Sequence, residues 1–137
     1  MKISKVFILL ITVFGIVSCT KNHQDNSVQS EALVVRYEYG LPIDSFRIDT
    51  CVVKSGETLG GMLNRLGATR QQVAGITLMP RSEFDVRTIL PGKTYYALFQ
   101  KDTAGVEQLC YYIYKPNIRE TVVLHLTDSM HVEHFEK

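Results

Sequence analysis

The stretch Val52–Ile76, VVKSGETLGGMLNRLGATRQQVAGI, decides how the rest of the chain is read. It reads as a short strand, a tight Ser55-Gly56 turn, a helix, a second turn and a second helix. Leu59, Met62, Leu63 and Leu66 fall at i, i+3, i+4 and i+7, the spacing of one helical face. Gly67 follows the last of them, where a left-handed residue closes a helix. Thr69 and Gln72 stand three apart, the spacing of a capping box that opens the second helix. Val73 and Ile76 give that helix its buried stripe.

Outward from this unit the pattern turns to strands. Upstream, Leu33 to Ile48 is broken by Gly40 and Pro42 into two extended pieces. Downstream, Asp85 is placed to cap one turn through Ile89, which Pro91-Gly92 closes. Tyr95 to Gln100 and Gln108 to Tyr114 are rich in aromatic and β-branched residues, and read as a hairpin around the Asp102 and Gly105 turn. Thr121 to Leu126 alternates, and Met130 to Phe135 follows as a last strand. Cys51 and Cys110 both fall in expected strands. They are read either as a disulfide of an exported chain or as two buried thiols.

The 137 residues suffice for one domain plus a leader. Lys2 and Lys5 precede an apolar run from Val6 to Val17, too short to span a bilayer as a helix, so residues 1–18 read as a signal peptide. The Ile16-Val17-Ser18-Cys19 ending resembles a bacterial lipobox, which implies lipidation at Cys19 and a periplasmic protein anchored to the outer (or inner) membrane. Residues 19–32 are polar and form a tether, and residues 33–137 form the domain. Past the leader, thirteen basic residues face fourteen acidic ones, a balance that gives no basic stripe for nucleic acid.

No catalytic constellation stands out, and no cofactor is expected. There is no Gly-x-Ser-x-Gly elbow, and Gly56, Gly60 and Gly61 lack the lysine of a phosphate loop. Of the histidines, His23 lies in the tether. His131 and His134 are three apart, so on one strand they point to opposite faces. No metal site is expected from them, because zinc needs convergent nitrogens.

The central unit resembles the start of a LysM module, on Val53, Ser55, Gly56, Glu57, Thr58, Leu59, Leu66, Gly67, Ala68 and Thr69. That resemblance implies an α+β fold: a LysM-like βαα unit with two to three short helices packed on a small antiparallel sheet. It further implies a shallow glycan groove between Ser55, Gly56, Glu57, Thr58 and Leu59 on one wall and Thr77, Leu78, Met79 and Pro80 on the other. Thr58 is open to two roles, groove residue or helix cap.

Three further stretches, Tyr39–Phe46 (YGLPIDSF), Phe84–Lys93 (FDVRTILPGK) and Val123–Ser129 (VLHLTDS), resemble in order the region preceding the catalytic domain of Bacteroidetes lysostaphin-like (M23) peptidases. Such peptidases hold zinc with a His…Asp pair and a later His-x-His in a separate domain, and this sequence has no His-x-His. The resemblance implies a non-catalytic, lipid-anchored envelope module whose partner is peptidoglycan glycan strands or an envelope peptidase. Two alternatives stand beside peptidoglycan targeting: a protein-binding accessory module, and a truncated peptidase fragment without independent function.

Overall fold

The central strands of the second half carry apolar residues on both faces, and both faces are covered. The structure, a computed structural model, describes residues 34–137. The expected leader, Cys19, His23, the tether and Leu33, the first residue of the expected domain, lie outside the described residues. Among the described residues are seven strands: β1 (Tyr37–Glu38), β2 (Leu41–Pro42), β3 (Arg47–Val52), β4 (Thr94–Lys101), β5 (Glu107–Tyr114), β6 (Glu120–His125) and β7 (His131–Glu136). Strands β1 and β2 make a small hairpin, and β3 to β7 form one antiparallel sheet in chain order. Two helices, α1 (Leu59–Arg65) and α2 (Arg70–Thr77), are inserted between β3 and β4.

This corrects the expected fold class. The βαα segment exists locally, yet the described domain is 37% strand and 20% helix, with sheets of two and five strands, which does not fit a LysM βαα unit. The physical reason is length. Helices of seven and eight residues each offer one apolar stripe, whereas the antiparallel strands bury two faces and carry most of the core.

Local signals in the helical unit are realised. Leu59, Met62 and Leu63 are buried, and Gly67 takes φ 84° after the α1 cap residue Leu66. The Thr69 hydroxyl accepts from the Gln72 N–H, and the Gln72 side chain accepts in return from the Thr69 N–H. Gln72 does more than cap. Its amide also donates to the carbonyls of Leu109 and Leu126, which ties α2 to β5 and to the end of β6. Gly75 lets α2 approach Met130, because a Cβ there would sit 2.5 Å from the methionine Cε.

The helices cover one face of the sheet, over Tyr95, Ala97, Phe99, Leu109, Tyr112 and Leu124. The other face holds Leu98, Ile113 and Val123 under Leu41 of the N-terminal hairpin and Ile43 of the turn that follows it. A register shift between Leu98 and Phe99 leaves Cys110 as the extra residue on β5. Bulges of this kind break strict alternation, which is how Leu109 and Tyr112 come to share the helix-side face.

Cys51 and Cys110 do not pair; both are free thiols. Cys51 is on β3 and Cys110 on β5, with β4 between them. Two strand spacings amount to about 9–10 Å, beyond the reach of about 7 Å between Cα atoms of a disulfide. Burial pushes the Cys110 thiol up from its ordinary value.

Candidate functional site

The residues expected to form a glycan groove have structural work already. The Thr58 hydroxyl accepts from the Gly61 N–H at 3.1 Å, so of its two possible roles the cap is the one seen. Glu57 accepts from the Lys54 N–H and pairs with Arg65 at 3.0 Å. Ser55 and Gly56 form the exposed turn between β3 and α1, where Gly56 has φ 80°. Leu59 is in the core, and Met79 packs against that same core. Leu78 is 81% exposed and Pro80 is also on the surface. None of these residues lines any of four concavities that stand out among the described residues.

Three of those concavities meet at Lys115, on the opposite face of the sheet. The largest, about 800 Å³, is open and bounded by Lys93, Tyr96, Asn117, Ile118 and Arg119. A second, about 360 Å³, lies between the N-terminal hairpin and the sheet, against Tyr39, Ile48, Thr50 and Tyr96. The third, about 370 Å³, runs from Tyr39 past Arg119 to Phe135 and Lys137. Lys115 is part of all three linings.

Local chemistry explains why these side chains converge. Strand β5 ends at Tyr114, and the Asn117 side chain accepts from the N–H groups of Arg119 and Glu120, folding 115–119 into a tight turn. That turn brings Lys115 and Arg119 to one end of the sheet. The Lys115 ammonium stands 5.7 Å from the Tyr39 ring centre and 5.4 Å from that of Tyr96. This is cation–π range, and the neighbouring Tyr39 hydroxyl holds the ammonium above its ordinary value. Ile118 is 94% exposed at the rim. The arrangement offers aromatic faces, an amide and four cations, with Glu38 and Glu136 as the acidic side chains along its edge.

The sequence reading missed this face because its residues come from the hairpin, the start of β4 and the β5–β6 turn. The one local signal was Lys115-Pro116-Asn117-Ile118-Arg119, a turn carrying two cations and an exposed isoleucine. His134, expected to be an ordinary strand residue, donates from Nε2 to the Glu83 carbonyl at 2.8 Å and so ties β7 to the loop after α2. Among the described residues no helix is long and apolar enough to cross a membrane.

No family model matches the chain, and no curated protein matches it. Among solved structures, a zinc-containing peptidase from Vibrio cholerae is similar, with a TM-score of 0.52 and 24% identity. The match covers 65% of this chain and 27% of that one, so the chain spans about a quarter of the peptidase's length. The chain therefore shares a fold with part of a zinc-containing peptidase.

Proposed function

We propose that this chain is a non-catalytic cell-envelope module that docks on peptidoglycan through the concave face around Lys115. The observation that carries the reading is the convergence of Tyr39, Tyr96, Asn117, Lys93, Lys115 and Arg119 around contiguous concavities. Peptidoglycan joins sugar rings to peptides that carry carboxylates. Tyrosine faces suit the apolar faces of pyranose rings, an amide suits their acetamido groups, and the cations suit the carboxylates. The fold shared with part of a zinc-containing peptidase supports a peptidase-related module, and the lipobox-like ending at Cys19 supports an envelope setting. In this reading Cys19 carries the lipid, which holds the domain beside its polymer and offsets weak binding by raising effective concentration.

Co-sedimentation with purified peptidoglycan tests the docking. The full-length chain in mild detergent is expected to pellet with the polymer, and less so as salt screens the cations. Lys115→Glu combined with Arg119→Glu is expected to weaken binding by about tenfold; Arg119 is exposed and Lys115 half-buried, so thermal unfolding of the variant shows whether the fold persists. Met79→Ala, on the helix side, is expected to leave binding intact. If the charge reversals change nothing, the face is wrong; if only a purified envelope peptidase is retained by the chain, the accessory-module alternative replaces glycan docking. Anchoring has its own test. Cys19→Ser is expected to move the protein out of the membrane fraction, and a variant that still pellets after carbonate washing refutes the lipid.

A further inference from the structure

Strand pairing brings together three ligand-type side chains that lie apart in sequence. His125 ends β6 and sits directly across from His131, the first residue of β7. Glu133, two residues on, returns to the same face, since strand side chains alternate. One ligand atom from each of the three lies within 4.8 Å of the others. The two imidazoles stack, with ring centres 3.9 Å apart and 22° between planes, and Tyr111 closes the far side of His125 edge-on at 5.0 Å.

The protonation pattern suits a cation better than a hydrogen-bond network. His131 Nδ1 lies 2.8 Å from the Ser129 carbonyl. A carbonyl oxygen only accepts, so Nδ1 carries the hydrogen, and in the neutral ring this leaves Nε2 its lone pair. Metal-binding histidines are held in this way by a backbone carbonyl on the second nitrogen. His125 Nε2 is sealed from water and has no hydrogen-bond partner, a state that native proteins seldom leave unexplained. The Glu133 carboxylate approaches His125 Nε2 at 3.6 Å and His131 Nε2 at 3.4 Å. Both separations are long for a hydrogen bond. Ligand atoms arranged tetrahedrally around zinc, at bond lengths of about 2.0–2.2 Å, stand roughly 3.3–3.6 Å apart.

We propose that His125, His131 and Glu133 form a divalent transition-metal site, with zinc the best fit to two imidazoles and a carboxylate. Three protein ligands leave a fourth position for water or for an oxygen or nitrogen of a docked molecule. The site is built at the edge of the sheet, where the His131 side chain is 45% exposed and an ion can enter from solvent. Tyr111, which flanks it, is four residues along the chain from Lys115, about 13 Å in an extended strand. The site is thus separate from the concavity, and it does not depend on peptidoglycan docking.

Titration of the untagged full-length chain with Co²⁺, and competition by Zn²⁺, tests it. One equivalent is expected to give the visible bands of a four-coordinate nitrogen–oxygen site, with Zn²⁺ displacing the colour at micromolar concentration or below. His131→Ala and Glu133→Gln change partly exposed side chains, and each is expected to weaken binding by about tenfold or more. His134→Ala, which points to the opposite face, is expected to bind as the parent does. Thermal unfolding without metal, run for each variant, shows whether the fold persists. Zn²⁺ is expected to raise the midpoint of the parent and of His134→Ala, and not that of the ligand variants. No binding at hundreds of micromolar Zn²⁺ overturns the site, as does binding that His131→Ala and Glu133→Gln leave unchanged.

Discussion

Replacing Tyr112 with alanine is expected to destabilise the domain by about 3–5 kcal/mol, the range for truncating a large buried aromatic. Tyr112 lies in β5, the central strand of the five, and has 0% exposure. Its ring stacks on Tyr95 at 4.8 Å with 22° between planes, and its hydroxyl lies 3.9 Å from the Met62 sulfur. Truncation therefore empties the contact between sheet and α1. Burial holds the phenol well above its ordinary value, so it stays neutral and adds no charge to the core. For a domain of this size each kcal/mol moves the thermal midpoint by about 4–8 °C, which makes a loss of about 12–40 °C the expected reading. Tyr112→Phe gives the contrast. It removes only a hydroxyl whose partner is a weak sulfur acceptor, and is expected to cost no more than about 1 kcal/mol. A Tyr112→Ala variant that melts within a few degrees of the parent rules out this packing.

The second large effect belongs to α1. Leu63 has 0% exposure and belongs to the helix-side cluster. Leu63→Ala is expected to cost roughly 2–5 kcal/mol, the transfer term plus the cavity left behind. Arg70, the first residue of α2, is exposed, and Arg70→Ala is expected to stay within about 0.5 kcal/mol. Chemical denaturation measures both. Equal losses at the two positions contradict the amphipathic assignment, whereas a loss confined to Leu63 supports the helix pair as a lid on the sheet.

Signals carried by residues close together in sequence were legible in advance. The period of Leu59, Met62, Leu63 and Leu66, the Gly67 stop and the Thr69–Gln72 box are all local, and each is present in the helices. Asp85 caps its turn by accepting from the Arg87 N–H, and Asp102 and Gly105 turn the β4–β5 hairpin. These features are set by dihedral preference and by hydrogen bonds across a few residues, which neighbours in sequence decide. The order of strands within one sheet is a different matter. The LysM-like reading took the helical unit as the architecture, when it is an insertion between two adjacent strands of a larger sheet.

What only the tertiary structure decided is which distant residues face one another. Alternation in one strand showed that His131 and His134 diverge, and they do: His134 reaches the Glu83 carbonyl, while His131 lies on the side of His125. It did not show that β6 and β7 pair with His125 opposite His131, because register depends on the β6–β7 turn and on which faces are buried. The same holds for the concavity, whose wall joins Tyr39 to Lys115 and Arg119. Covering the outer sheet face with Leu41 of the hairpin and Ile43 just after it brings Tyr39 there, a choice made by burial of apolar area and not by any local motif. Sequence alone thus determined caps, turns and the apolar stripes of the elements, because their energies are local. The pairing of strands and the layering of faces determined the sites, because those energies exist only once the chain has closed on itself.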